Sequence, residues 1–286
     1  MKIDVSILIV NYNTSKLTLQ CVDSIIKNTS GLCYEIIVID NNSKHEDKAI
    51  LLNNPNIKFI ELNENIGFGR ANNIGFDYSK GDFIFLLNPD TIILNNAIKD
   101  LHQASLLIGE ACCGALLVGD NNEPIHSYGQ FPTLKSFFLQ FIRSYLPFIK
   151  KKIIYPKQIS KVDYITGADL LIPRTVIEKY GFFNPQFFMY YEETELQYRY
   201  TSFGVFSYII PKIHIKHLEG KSIKLKLERL IRVWEGSIIY SKIVFSITEY
   251  LIFRLLLALF NLPKIVIIPS KINIKIKALK TLFYWE

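Results

Sequence analysis

The sequence predicts an α/β fold with a mostly parallel central sheet, followed by amphipathic helices at its C-terminal end. Three observations lead there. Short apolar runs rich in β-branched residues alternate with stretches whose apolar residues recur at helical spacing. Polar residues collect where successive runs stop. The charge is also unevenly placed: residues 212–286 hold 14 Lys and Arg against 5 Asp and Glu, so the net +7 of the 286-residue chain is +9 there and −2 before it.

The elements follow in order. Val5 to Val10 is nearly all apolar, as expected of a strand buried on both faces of a parallel sheet. Asn11-Tyr12-Asn13 ends it, and Thr14 or Ser15 can cap a helix carrying Leu17, Cys21, Val22, Ile25 and Ile26. A second strand, Glu35 to Ile39, stops at Asp40-Asn41-Asn42-Ser43, and a third, Ile57 to Ile60, stops at Asn63-Glu64-Asn65. After a helix around Arg70 to Tyr78, a fourth strand from Asp82 to Leu87 stops at Asn88-Pro89-Asp90. In an open α/β sheet the carboxyl ends of the strands are where a ligand binds.

From about residue 91 the pattern is mixed: a helix near 95–108, short strands near 115–118 and 163–172, then loops rich in aromatics. Leu134, Phe137, Phe138, Phe141, Ile142, Tyr145 and Ile149 keep helical spacing and run into Lys150-Lys151-Lys152. Ile223, Leu227, Leu230, Ile231, Trp234 and Ile238 form another apolar stripe, opposed by Lys224, Glu228, Arg232 and Glu235. Residues 245–268 are apolar almost all round. Glu249, Arg254, Asn261, Pro263 and Lys264 interrupt them, which favours helices lying in a membrane interface over a spanning helix. The sequence thus divides into a catalytic-type domain over 1–222 and a basic, apolar helical region over 223–286.

Hydrophobic residues at 49% and charged residues at 21% exclude a disordered chain. The basic region is interleaved with Ile, Leu, Phe and Trp, which points to an anionic membrane surface and not to nucleic acid, for which no reading module is present. Cys21, Cys33, Cys112 and Cys113 lack metal-type spacing and read as small core residues in a reducing compartment. Met1-Lys2 leads straight into a strand-like run without a signal-peptide pattern, so the expected location is cytoplasmic.

The candidate chemistry sits at the strand ends. A carboxylate at Asp90, on a rigid element, can hold Mg²⁺ or Mn²⁺, although Asp after Pro is also common in turns. Asp40 can accept from a base N–H or a ribose hydroxyl, or simply form an Asx-turn with Asn42 and Ser43. Glu192, Glu193 and Glu195 follow an aromatic stretch, and apolar surroundings raise a carboxyl pKa toward that of a general base. The same acids would also suit the start of a solvated helix. His217 can join Asp90 as a second metal ligand, while His214 suits a structural role.

Taken together, these segments resemble the family 2 glycosyltransferases of the GT-A fold, and within them the rhamnosyltransferase-like branch. The resemblance is carried by 5–13, 36–43, Asn63 to Gly69 with Asn72-Asn73, Leu86 to Thr91, Thr166-Gly167-Ala168, Gly181 to Pro185, Tyr191-Glu192-Glu193, and His217 with Gly220 and Ser222, in the family's order. It implies that Asn11, Asp40, Asn42, Arg70 and Asn88 bind the nucleotide sugar, with Asp40 at the base. Asp90 and His217 would hold the cation, and Gly167 and Ala168 would lie against the donor sugar or acceptor. Glu193 matches the catalytic base, where many relatives have Asp; Glu192 stays open as an alternative.

The activity this implies is inverting transfer of a sugar, rhamnose as the leading guess, from a dTDP- or UDP-sugar to a saccharide acceptor. Such an acceptor in bacterial surface polysaccharide synthesis is carried by polyprenyl diphosphate, which places the protein peripherally on the inner face of the cell membrane. The oligomeric state is left open, a homo-oligomer included. Two other readings compete: a non-catalytic subunit of the same fold used for binding or scaffolding, and a sugar-nucleotide nucleotidyltransferase. The second would want a Gly-rich, basic phosphate loop after the first strand, where this chain has Asn11 to Ser15.

Overall fold

A computed structural model describes residues 2–146, 155–218 and 226–283. Ile149, Lys150 to Lys152, Gly220, Ser222, Ile223 and Lys224, singled out from the sequence, lie outside the described residues. The chain forms two compact units. One comprises Met1–Gln130, Tyr155–Pro185 and Glu193–Ser222; the other comprises Phe131–Ile154, Gln186–Glu192 and Ile223–Glu286.

The first unit opens with β1 (Val5–Asn11), α1 (Ser15–Asn28), β2 (Tyr34–Asp40), α2 (His45–Leu52) and β3 (Lys58–Glu61). It continues through α3 (Phe68–Asp77), β4 (Phe83–Leu87), β5 (Thr91–Ile93), α4 (Ala97–Ile108) and β6 (Ala111–Val118). A two-residue strand β7 (Tyr128–Gly129) leads to α5 (Leu134–Tyr145) of the second unit. Back in the first unit come β8 (Ser160–Val162), β9 (Tyr164–Ile165), β10 (Asp169–Pro173) and α6 (Arg174–Tyr180). Then follow α7 (Glu192–Thr201) and β11 (Phe206–His217), and the second unit ends with α8 (Lys226–Val244), α9 (Ile247–Ile267) and α10 (Ile272–Phe283).

The large sheet runs β3-β2-β1-β4-β10-β6-β11-β5, with β8 also on β11. It is parallel from β3 through β4. β10 is antiparallel to both β4 and β6, and β6 and β11 are parallel again. The chain builds β2 and β3 on one side of β1 and then crosses to β4 on the other, so a crevice opens at the carboxyl ends of β1, β2 and β4.

Period-two alternation decides which face each strand residue covers. Val5, Ile7 and Ile9 of β1 pack with Phe85, Leu87 and Leu171 under Cys21, Val22 and Ile25 of α1 and Leu101 of α4. Leu8 and Val10 pack with Ile37, Ile39, Ile84 and Leu86 under Ala71 of α3, Val176 of α6, and Leu196 and Tyr200 of α7. The continuous apolar runs are therefore strands buried from both sides. Of the four cysteines, Cys33 is only half-buried, because it sits in the turn before β2 and not within a packed element.

The second unit has its own core of Phe137 and Phe141 from α5, Leu227, Ile231 and Trp234 from α8, Phe253, Leu257 and Ile265 from α9, and Leu282 from α10. α5 starts with a reciprocal Thr133–Ser136 cap, and α9 with a Ser246–Glu249 capping box.

One buried acid in the sheet makes a stability prediction. Asp169 is fully buried; its Oδ2 accepts from the Ala115 N–H at 2.7 Å, and its Oδ1 has no partner among the described residues. Burial pushes this carboxyl well above its ordinary value, so the folded chain retains a proton that the unfolded chain releases. The resulting stability is present below the unfolded pKa and is lost as pH rises through the folded one. Asp169→Asn keeps an acceptor for Ala115, and the expected outcome is a flatter fall in the urea midpoint from about pH 5 to about pH 8. A variant whose midpoint falls with pH as steeply as wild type's would mean that the acid is already ionised in the fold.

Candidate active site

Asn11 and Asp40 are adjacent partners at the ends of β1 and β2, and both are fully buried. The Asn11 amide nitrogen donates to Asp40 Oδ1 (2.7 Å), Ser15 Oγ (2.9 Å) and Ser43 Oγ (3.1 Å). Its oxygen accepts from Thr18 and Thr14 hydroxyls at 2.8 and 3.1 Å. Asp40 Oδ2 accepts the N–H of Ser43, three residues on, at 2.9 Å, so the carboxylate closes its own loop and is held rigidly at the rim. Asn42 is exposed and has φ 62°, a left-handed conformation that Asn tolerates and that turns the chain back.

Asn41, which the sequence reading passed over, ties this loop to the start of α3. Its oxygen accepts the Ile66 N–H (2.9 Å), and its nitrogen donates to Asn65 Oδ1 (2.9 Å). Arg70, in the first turn of α3, donates from Nε to the Pro185 carbonyl at 2.5 Å, and Asn73 bonds both backbone groups of Phe183. Arg70 thus braces the loop around residue 185.

At the end of β4, Asp90 Oδ1 lies 3.1 Å from His217 Nε2, and Asn88 Nδ2 lies 3.5 Å from the same nitrogen. The sheet makes this meeting: β11 runs antiparallel to β5 with His217 opposite Thr91, and the Asp90 carbonyl accepts the Leu218 N–H at 2.8 Å. Both side chains are about nine-tenths buried. His217 Nδ1 has no partner among the described residues. No group of three or more His, Cys, Asp or Glu with metal-binding geometry occurs among the described residues. The donor set is therefore one carboxylate and one imidazole, which suits a divalent ion that takes its remaining ligands from substrate phosphates and water.

The strand edge beside Asn88 carries the next part of the site. The Asn88 N–H donates to the Ala168 carbonyl at 3.1 Å. A Cβ on Gly167 would sit 3.2 Å from the Phe68 ring and 3.9 Å from Glu193 Cβ, so Gly167 lets the backbone pass close to both. Burial pushes the Glu193 carboxyl above the ordinary glutamate range, against hydrogen bonds from its own backbone and from Thr194 that favour the charged form. Glu192, next to it at the start of α7, is buried. Asp90, His217, Gly167, Ala168 and Glu193 thus form a connected rim; Asp40 lies at the same end of the sheet, two strands from β4.

Gln197 is a further residue that sequence reasoning missed. One turn after Glu193, its buried amide donates to the Ile165 carbonyl (2.8 Å) and the Glu193 carbonyl (2.9 Å), and accepts from the Ile165 N–H (2.9 Å) and the Ser207 hydroxyl (2.8 Å). It clamps α7 to the strand that leads into Gly167. Only its four-residue spacing from Glu193 could have flagged it.

Comparison with known proteins identifies the family. The family model for glycosyl transferase family 2 matches residues 6–181. The chain belongs to that family. It is 28% identical over 200 residues to the low-salt glycan biosynthesis hexosyltransferase Agl10 of Haloferax volcanii, covering 68% of this chain and 61% of that protein. It is 28% identical over 201 residues to the rhamnosyltransferase WbbL of Escherichia coli, covering 64% and 72%. To the dTDP-rhamnosyl transferase RfbF of Shigella flexneri it is 25% identical over 232 residues, covering 79% and 73%. The match to Agl10 therefore spans less than two thirds of that relative's length.

Among solved structures, GalNAc-T7 with UDP, GalNAc and Mn²⁺ superposes with a TM-score of 0.63 at 18% identity, over 98% of this chain and 54% of that one. S. aureus TarS gives 0.56 at 15% identity, over 90% and 43%. At these identities the likeness establishes the fold, which is GT-A.

The clamp can be tested directly. Gln197→Ala leaves the Ile165 N–H and C=O buried without partners, and the expected loss is about 1–3 kcal/mol of unfolding free energy in chemical denaturation. A variant as stable as wild type would show that water replaces the amide.

Proposed function

We propose that the protein is a metal-dependent, inverting hexosyltransferase that moves a sugar from a nucleotide-diphosphate donor to a saccharide acceptor. The observation that carries this is the Asp90–His217 pair, joined through Ala168 and Gly167 to a half-buried Glu193 whose pKa is raised. Asp90 and His217 would hold Mg²⁺ or Mn²⁺, a choice of metal that the donor set leaves open. When bound, the ion supplies positive charge against the diphosphate leaving group.

The chain's own residues do the rest. Asp40, locked by Asn11 and Ser43, presents a fixed carboxylate to the base or ribose of the nucleotide. Gly167 and Ala168 offer backbone against which sugar and acceptor can lie closely. Glu193 takes the proton from the acceptor hydroxyl, whose oxygen bonds to the anomeric carbon as the bond to the diphosphate oxygen breaks on the opposite face. Configuration inverts in that single displacement, and no second carboxylate is needed as a nucleophile. The raised pKa brings Glu193 nearer to neutral pH, where a general base works best.

The relatives favour rhamnose from a dTDP donor, with UDP-sugars as the alternative. Their names refer to glycan synthesis and rhamnosyl transfer, which supports a saccharide acceptor. An acceptor carried on polyprenyl diphosphate would confine the reaction to the inner membrane face.

The second unit fits that location. α9 is the described helix long and apolar enough to cross a membrane. One of its faces, however, is committed to its own unit through Phe253, Leu257 and Ile265, and Arg254 donates to the Leu282 carbonyl at 3.0 Å. The other face exposes Ile247, Leu251, Leu255, Leu259, Leu262 and Val266. On α10, Ile272, Ile276, Leu279 and Phe283 are exposed, with Lys275 and Lys280 flanking that stripe on the helical wheel. This is the pattern of helices lying in one leaflet, with each Lys near anionic lipid contributing on the order of 1 kcal/mol.

Two outcomes test the proposal. Glu193→Gln is expected to lower kcat by at least about 100-fold while nucleotide binding stays intact, and the acid limb of the wild-type pH profile should lie above the usual glutamate range because the base must first lose its proton. Retained turnover would move the base to Glu192. Replacing both Leu255 and Leu259 with Asp should release the full-length protein from phosphatidylglycerol vesicles in flotation, without changing nucleotide binding; unchanged flotation would remove this face from the membrane.

A further inference from the structure

The family match ends at residue 181, before the aromatic segment that leads into the base-bearing helix. Its part Gln186–Glu192 clusters with the C-terminal helices. Tyr190 and Tyr191, immediately before Glu192 and Glu193, both have left-handed backbones, φ 72° and 70°. Two consecutive bulky residues in this region are strained and persist only where their surroundings hold them.

One face of α8 does the holding. The Arg232 guanidinium lies 4.5 Å from the Phe188 ring centroid. At Gly236 there is no room for a side chain: a Cβ would collide with the Tyr190 carbonyl oxygen and lie 3.1 Å from its carbon and 3.2 Å from Tyr191 Cδ2. Tyr240 packs its ring 5.8 Å from that of Tyr191, which also lies 6.1 Å from Phe137. Arg232, Gly236 and Tyr240 are spaced i, i+4, i+8, so they line one side of the helix and follow the segment from 188 to 191. Leu227, Ile231 and Trp234, which enter the core of the helical unit, occupy the opposite side. Glycine within a helix costs stability relative to alanine, so this position needs a reason, and the Tyr190 carbonyl supplies one.

We propose that α8 is part of the catalytic apparatus: its Arg232–Gly236–Tyr240 face fixes the strained Tyr190-Tyr191 turn, and Gly236 is thereby a positioning residue for the base. The coupling needs no long pathway. Glu192 and Glu193 follow the turn directly in the chain, so a shift of the Tyr190 carbonyl moves the first turn of α7. Gln197 holds that helix one turn later. The C-terminal region therefore carries a second task besides the membrane contact, and this inference rests on Glu193 being the base.

The test uses the full-length chain with Gly236→Ala. Three readouts are compared with wild type: hydrogen exchange of residues 186–201, calorimetric binding of UDP with Mn²⁺, and turnover of dTDP-rhamnose or UDP-glucose across pH. The expected result is faster exchange confined to 186–201, unchanged UDP affinity, a fall in kcat of about 100-fold and a displaced acid limb. Wild-type exchange together with wild-type kcat overturns the proposal. If Gly236→Ala does not fold, Tyr191→Leu leaves α8 intact and should lower kcat with UDP affinity kept; wild-type kcat there overturns it equally. If wild type turns over neither donor, the functional reading fails by itself, and exchange at 186–201 in Gly236→Ala still decides whether α8 holds the turn.

Discussion

The arrangement of this molecule depends on the contact between Asp90 and His217. These residues are 127 positions apart, and they meet because β11 crosses to lie antiparallel to β5 at the end of the sheet. A carboxylate and an imidazole in contact, about nine-tenths buried, would be a poor way to stabilise a fold, since the desolvation of ionisable groups opposes their attraction. As a two-donor site at the carboxyl end of a rigid sheet, the same pair makes chemical sense. Its position relative to Glu193 is set by backbone, through the Asn88–Ala168 hydrogen bond and the bare Gly167, and so does not depend on flexible side chains.

A second constraint acts on Glu193. α7 is held by the Gln197 amide on one turn and begins at a turn of two left-handed tyrosines on the other. Strain of that kind is common where a side chain must be presented in one orientation. The Glu193 carboxylate is thus placed from both ends, while burial raises its pKa above the ordinary glutamate range.

The loop after β2 follows the same logic with different parts. Asn11 spends both ends of its amide on internal partners, so its work in the structure is to immobilise Asp40. Asn41 does the corresponding work for the loop that opens α3. Arg70 braces the loop near Pro185, a contact that only the folding of distant segments could create.

The amino-acid sequence by itself determined the strands, because residues buried on both faces must be apolar in unbroken runs, and it determined the loops, because Asn, Asp, Gly and Pro have local backbone preferences. Element type, the polar rim, and the candidacy of Asp40, Asp90, Glu193 and His217 were legible for that reason. The third strand was displaced by one residue, since the end of a run marks hydrophobicity and not hydrogen bonding. Only the tertiary structure decided that β10 enters antiparallel between β4 and β6, that Asn11 serves Asp40, that Gln197 clamps Ile165, and that segments 131–146 and 186–192 cluster with the C-terminal helices. Each of these depends on pairing between residues far apart in the chain, which local periodicity and propensity do not encode.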